Sequence, residues 1–324
     1  MVEKGSIRAE QYLAPETLSQ LAPFEMRAKM IVEGVMNGMH RSPYQGLAVE
    51  FAEHRQYVPG DETRHLDWKV FGRTDKLYLK QYQQETNLDI ILLVDASGSM
   101  RYGSLDEKTG WGGTKAGRST STWTKYDHAT ATSAALAHLC LQQRDRIGLA
   151  TFAEKIRTQV KRSNIRDQWR SIVQILSQDP VDEQTDPVKV ADQVLSSVNN
   201  RALFFFISDF MCDPLELREA LARFRHKRHD VVLVQVLDRQ EIRFEIDETA
   251  PFVGLEGEGT VHVDARSVRD TYLDVFDRHQ AEIRSIARGF GFDFEQINSH
   301  ESIGPPLARL FARRIAISRR NSRG

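Results

Sequence analysis

Thiols are scarce in this chain: Cys140 and Cys212 are its two cysteines. Neither sits in a CxxC pair or a histidine-rich stretch, so the usual spacings of a zinc site are absent. Both lie in apolar surroundings and read as small core residues, which suits a reducing cytosol better than a secreted compartment. An excess of one charge is missing as well. Lys and Arg number 44 against 45 Asp and Glu, a net charge of −1, so no overall basic field draws the chain to nucleic acid or an acidic membrane. The arginines near the end (Arg309, Arg313, Arg314, Arg319, Arg320 and Arg323) read as a solvated helix end. No apolar run approaches the length of a membrane span, and Met1-Val2-Glu3-Lys4 starts no apolar leader region. The expectation is a soluble cytoplasmic protein without a membrane span or a nucleic-acid partner.

What is present is 324 residues, 40% of them apolar, enough for one large domain with attachments or for two modules. Residues 15–36 carry an amphipathic helical pattern (Leu18, Leu21, Phe24, Met30, Val35), with Pro15 as a first-turn proline. Residues 42–84 look β-rich, with strand-like stretches at 47–51 and 76–80 and a turn at Tyr57-Val58-Pro59-Gly60-Asp61. Asp67-Trp68 reads as the neighbourhood of a helical turn. From Leu88 the pattern becomes α/β. Strand candidates at 88–94, 146–152, 203–208 and 231–237 are mostly apolar, as parallel strands buried on both faces are. Helical patterns alternate with them at 125–143, about 166–178, after Pro187 and after Pro214. The fold class is therefore α/β, a doubly wound and mostly parallel sheet, Rossmann-like, with a small β-rich module. Strand character returns at 242–264, followed by a long helix at 267–288, a strand at 292–297 and a helix near 303–315. The chain divides into a helical segment (1–40), a β-rich module (41–87) that 242–264 is expected to complete, an α/β domain (88–241) continued by 265–316, and a basic tail (317–324).

The stretch Asp95-Ala96-Ser97-Gly98-Ser99 follows the apolar run Ile90–Val94. An acidic residue and two hydroxyls at i, i+2 and i+4 can place oxygen ligands on one side of a strand-end loop, as a hard divalent cation requires. The same letters also cap helices and turns. Asp209 ends the strand candidate 203–208, and Thr185 precedes the helix at Pro187. In a doubly wound sheet, ligands bind beyond the carboxyl ends of strands where the strand order reverses. If 88–94 and 203–208 are neighbours at that reversal, Asp95 and Asp209 flank one crevice and Thr185 approaches it. Thr114, Thr120, Thr122 and Thr124 compete for the threonine position.

These residues resemble the von Willebrand factor A domain and its metal-ion-dependent adhesion site, whose pattern is D-x-S-x-S, a distant Thr and a distant Asp. Asp95, Ser97, Ser99, Thr185 and Asp209 match it in order. The resemblance implies that Ser97, Ser99 and Thr185 contact the cation, while Asp95 and Asp209 act directly or through water. It also implies Mg²⁺, with Mn²⁺ or Ca²⁺ as substitutes, and a protein partner whose Asp or Glu carboxylate completes the shell. Upstream, Arg41-Ser42-Pro43-Tyr44, Tyr57-Val58-Pro59-Gly60-Asp61, Arg64, Asp67-Trp68 and Arg73-Thr74 resemble a bacterial von Willebrand A-like group, the domain of unknown function fifty-eight. Its members are often encoded beside MoxR-type AAA+ ATPases, which implies an adaptor role with such an ATPase or its client. The same upstream residues also read structurally: Pro59-Gly60 as a turn, Arg64 with Asp67 as a pair, Trp68 as core. Residues 101–124 look like an insertion, Gly-, Ser- and Thr-rich, that either gates the site with Lys115, Arg118 and Trp123 as contacts or is a surface loop.

Enzyme signatures are missing. Gly112-Gly113-Thr114-Lys115 lacks the order of a phosphate-binding loop. Ser97 has Asp95 rather than Gly two residues before it, and no histidine is assigned to it. His128 and Lys125, near the start of the first long helix, read as packed or solvated. The leading expectation is a non-enzymatic, cation-dependent protein-binding module. A Mg²⁺-dependent phosphohydrolase using Asp95 and Asp209, and a scaffold with a vestigial site, are the alternatives.

Overall fold

The computed structural model describes residues 50–58, 66–83, 89–105, 122–142, 144–165, 167–247, 249–301, 303–307 and 309–310. The helical pattern at 15–36, the turn at Pro59-Gly60, Arg64, Thr114, Lys115, Arg118, Thr120 and the tail 317–324 lie outside them.

Strands β1 (Glu50–Gln56) and β2 (Tyr78–Gln83) form an antiparallel pair, with the short helix α1 (Trp68–Thr74) in the connection. Asp67 caps α1 by accepting from the Lys69 and Val70 amides at 3.0 and 3.3 Å. Trp68 differs from its core expectation. As the first helical residue it points outward, 64% exposed, with the edge of the Phe71 ring 6.1 Å away.

The main sheet holds β3 (Asp89–Asp95), β4 (Arg146–Phe152), β5 (Ile156–Ser163), β6 (Leu203–Ser208), β7 (Asp230–Leu237) and β10 (Asp293–Asn298). Their order is β10-β7-β6-β3-β4-β5, parallel except for β5, which runs antiparallel to β4 at the edge. Helices α2 (Lys125–Gln142) and α3 (Gln168–Leu176) cover one face; α4 (Pro187–Ser197), α5 (Pro214–His226) and α7 (Ala265–Gly289) cover the other. The strand side chains sort by period two. Ile90, Leu92, Val94, Phe205, Ile207, Val232, Val234 and Val236 join the α2–α3 core, and Ile91, Leu93, Phe204, Phe206, Val231 and Leu233 join the other. Two covered faces explain the mostly apolar runs, so the doubly wound α/β fold expected from them is the one present.

Helix starts follow the local chemistry. Asp186 and Asp213 cap α4 and α5 through Lys189 N and Leu215 N, and Pro187 and Pro214 open them. Helix α2 is not one-sided as its pattern suggested. It is buried nearly all round, and Thr130, Thr132 and Ser133 satisfy their hydroxyls on Asp127, His128 and Ala129 carbonyls. Strand β5 carries no apolar run because it is a charged edge strand, with Arg157, Lys161 and Arg162 along it.

Strands β8 (Thr249–Val253) and β9 (Thr260–Asp264) correct the expectation for 242–264. Among the described residues they pair only with each other, in a sheet of their own, and do not join β1–β2. The hairpin packs on α7 instead, because Phe252 stacks at 6.0 Å on Phe244, which meets Tyr272 at 4.4 Å.

Phe206 is fully buried against Phe152, Phe210 and Phe224. Phe206→Ala is expected to cost about 3–5 kcal/mol, read as a lower urea midpoint, whereas Leu215→Ser on the exposed side of α5 stays within about 0.5 kcal/mol.

Candidate functional site

The chain runs from β3 through β4 to the β5 edge, then returns to place β6 on the other side of β3. The reversal therefore lies between β3 and β6, and the crevice opens at their carboxyl ends. The parallel register pairs Val94 with Ile207, so Asp95 and Ser208 come next, side by side.

Asp95 is fully buried and is the hub of this crevice. Its Oδ1 accepts the Ser97 amide at 2.9 Å, an Asx turn that folds the loop back over the strand end. Thr185 Oγ1 donates to the carboxylate, 2.9 Å from Oδ2 and 3.0 Å from Oδ1, and Ser208 Oγ donates to Oδ2 at 2.6 Å. Ser97 Oγ and Ser99 Oγ are 3.1 Å apart. Thr185 arrives because its segment is zipped to the loop: Val181 N donates to Ala96 O at 2.8 Å and Gly98 N to Glu183 O at 3.1 Å. Arg101 reinforces this by donating to Pro180 O at 2.8 Å and pairing with Asp182. The competing Thr124 is spent elsewhere, capping α2 with Asp127 at 2.9 Å.

Asp209 follows Ser208 out of β6, and its neighbour Phe210 takes a left-handed φ of 54°. Lys125 Nζ reaches Asp209 Oδ2 at 2.7 Å and Glu241 Oε1 at 2.5 Å, with the lysine 1% exposed. Glu241 belongs to the short helix α6 (Arg239–Arg243) and its other oxygen accepts the Asp238 amide at 2.8 Å in a capping box. Lys125 is thus neither solvated nor merely packed. Burial pushes its ammonium pKa down, but Asp209 and Glu241 outweigh burial and raise it. Burial raises Glu241, with Lys125 opposing. Burial, with the charge of Asp209 next, lifts Asp95 from 3.8 to about 7.

Glu256, from the turn between β8 and β9, completes the rim: its Oε1 accepts the Ser99 amide at 3.0 Å. The five residues expected from the sequence therefore face one crevice, and Lys125, Ser208, Glu241 and Glu256 join them. The legible signals were the Ser directly before Asp209 and the D-x-x-E capping box of Asp238 and Glu241. Trp123 is not available as a contact from 101–124. It is 1% exposed and donates from Nε1 to His128 Nδ1 at 3.3 Å. Burial lowers His128 to about 3, so this imidazole is neutral.

A Ser–His–Asp set lies nearby. Ser104 Oγ donates to Asp238 Oδ1 at 2.5 Å and is 3.0 Å from His300 Nε2, and Ser299 Oγ donates to Asp238 at 2.9 Å. The serine proton goes to the carboxylate, and His300 Nε2 also faces Asp238 at 3.4 Å, so Asp238 and Ser104 meet the same ring nitrogen rather than opposite ones as in a catalytic triad. The set ties residue 104 to the ends of β7 and β10.

Among the described residues no group of three or more His, Cys, Asp or Glu surrounds a single point. The crevice instead offers hydroxyls flanked by carboxylates, which suits a hard cation that takes oxygen ligands and keeps some water. A buried pair of mutually repelling carboxylates served by one shared lysine also favours added positive charge. The residues present fit a Mg²⁺-type ion.

The family described as "Protein of unknown function DUF58" matches residues 53–282. This chain belongs to that family. The DUF58 chain is similar to uncharacterised proteins of Mycobacterium tuberculosis and Mycobacterium bovis, each 25% identical over 307 residues, 93% of this chain and 90% of theirs. Among solved structures it is similar to the conserved hypothetical protein BatB from Bacteroides thetaiotaomicron, with 15% identity, a TM-score of 0.46, and coverage of 71% of this chain and 99% of that one. A von Willebrand factor type A protein from Catenulispora acidiphila matches at 10% identity and a TM-score of 0.34, over 75% of this chain and 43% of that one. No helix among the described residues is long and apolar enough to cross a membrane.

Lys125→Met leaves Asp209 and Glu241 buried with no cation between them, and is expected to cost about 3–5 kcal/mol. Adding Asp209→Asn and Glu241→Gln removes the stranded charges and is expected to recover most of that loss in urea unfolding.

Proposed function

We propose that this chain is a non-catalytic docking module that binds a protein partner through a divalent cation. The observation that carries the reading is the meeting of Asp95 with Ser97, Thr185 and Ser208, beside Ser99 and Asp209, at the reversal of the sheet. In this reading Ser97, Ser99 and Thr185 hold the ion through hydroxyl oxygens, and Asp95 and Asp209 hold it directly or through water. Mg²⁺ is the proposed ion, with Mn²⁺ and Ca²⁺ as substitutes. When bound, the ion supplies an electrophilic point that an Asp or Glu of the partner caps. The chain's own residues set the geometry: Ser208 and Thr185 fix the Asp95 carboxylate, and Lys125 holds Asp209. Neutral hydroxyl donors leave the ion short of negative charge, which favours an incoming carboxylate. The proposed partner is a MoxR-type AAA+ ATPase or its client, in the cytoplasm, a choice that rests on the family resemblance.

The test is capture of a purified MoxR-type ATPase by this chain in Mg²⁺ or in chelator, repeated with Ser97→Ala and Asp209→Ala. Capture is expected in Mg²⁺ alone and with the unsubstituted chain alone. Capture indifferent to chelation and to both variants would favour a scaffold with a vestigial site. Phosphate-ester turnover that Asp95→Ala abolishes would favour hydrolysis.

A pH dependence follows from Asp95. Its folded pKa is raised from 3.8 to about 7, so without a cation its contribution to stability is greatest below the unfolded value and falls as pH rises through that window. Mg²⁺ relieves the cost only where the carboxylate is ionised. The rise in unfolding temperature caused by Mg²⁺ is therefore expected to be larger at about pH 8 than at about pH 5. In Asp95→Asn the Mg²⁺ effect should vanish at both values.

A further inference from the structure

We propose that Glu256 is this chain's own carboxylate ligand at the docking crevice, so that the β8–β9 hairpin is an internal occupant which a partner must displace. The inference rests on the cation reading above and adds who fills the partner's place when no partner is bound.

Several features put the hairpin tip on the site. Glu256 reaches the Ser99 amide across 157 positions of sequence. Its carboxylate therefore touches the residue that carries one of the proposed hydroxyl ligands. The tip lies flat on the loop. A β-carbon on Gly98 would overlap the Leu255 carbonyl oxygen and come within 2.9 Å of Glu256 Cγ. Gly98 has an ordinary helical φ of −61°, so its backbone does not demand glycine; the approach of the tip does. The turn is shaped for the task, with Gly257 and Gly259 at φ of 94° and 88°, Gly254 N donating to Gly259 O at 2.7 Å, and Glu256 N donating to Glu258 Oε2 at 3.0 Å. Glutamate is also the chemistry expected of the partner, so the tip offers the crevice what a docking protein would offer. It adds a fourth carboxylate to Asp95, Asp209 and Glu241, and one buried lysine does not balance them. A divalent ion beside Ser97 and Ser99 would offset most of that excess.

The hairpin is built to leave. Among the described residues β8 and β9 hydrogen-bond as a sheet only with each other. Beside the Phe252–Phe244 stack, Phe252 and Val263 line a cavity of about 290 Å³ together with Tyr102, Val268 and Tyr272, so the hairpin's seat on α7 is incompletely filled. Val253 and Val261 are already 64% and 59% exposed, so lifting uncovers little new apolar surface on that side.

The test titrates Mn²⁺ into the full chain and into Glu256→Gln, Gly98→Ala and Asp95→Ala. Water-proton relaxation reads the exchangeable waters on the bound ion, and hydrogen exchange reads the amides of 254–259. In the unsubstituted chain Mn²⁺ is expected to slow exchange in 254–259 by about tenfold. In Glu256→Gln and Gly98→Ala the bound ion should gain an exchangeable water, acetate should displace that water, and the protection of 254–259 should be lost. Mn²⁺ binding that needs Asp95 but shows the same hydration in all the Asp95-containing chains, with hairpin exchange indifferent to the ion, would overturn the proposal and leave Glu256 a cap on the turn at Ser99. Mn²⁺ binding unchanged by Asp95→Ala would overturn the cation reading itself, and this inference with it.

Discussion

One fully buried carboxylate organises this protein's crevice. Asp95 ends the central strand β3, and donors from its own loop, from the segment before α4 and from the end of β6 converge on it. Buried carboxylates are costly unless their lone pairs are used. Here those pairs are used by segments that are otherwise far apart in sequence, so the polar requirement of one side chain fixes the relative placement of three pieces of backbone. The sheet brings the pieces close, and Asp95 sets their register to within a hydrogen bond.

Charge is handled in two layers around that hub. The inner layer is the contact of Lys125 with Asp209 and Glu241, sealed from solvent at the lysine. Because a Glu241 oxygen also caps α6, the start of that helix and the electrostatics of the crevice are mechanically one unit. The outer layer is at the rim, where Glu256 meets the loop. The inner layer holds Asp209 in place; the outer one ties the β8–β9 turn to the loop at Ser99.

How much of this could be read from the residues follows from the range of the interactions. Strands β3, β4, β6 and β7 were legible because both faces of the sheet are covered and their middles are apolar on both sides. Helices α4 and α5 were legible because Asp and Pro mark their starts locally. The loop Asp95–Ser99 was visible as a spacing, and Asp209 and Thr185 through the topology rule together with a family resemblance. The rest was hidden for physical reasons. Strand β5 is mostly polar and charged because it is an edge. Trp123 sat in a Gly- and Ser-rich stretch, yet it packs beside α2. Lys125 meets its partner 84 residues later and Glu256 meets Ser99 over a span of 157. No periodicity encodes such pairs. The hairpin was recognised as strands but placed on the wrong neighbour, since Phe252 and Val263 show that it needs an apolar surface and not which one.

The position of the hairpin in the chain has a consequence for biosynthesis. Asp95, Lys125, Thr185 and Asp209 all precede Glu256, which follows Asp209 by 47 residues. At about 5–20 residues per second a ribosome takes roughly 2–10 s to make that interval. Asp95, Thr185 and Asp209 are thus synthesised before the hairpin tip that reaches the Ser99 amide.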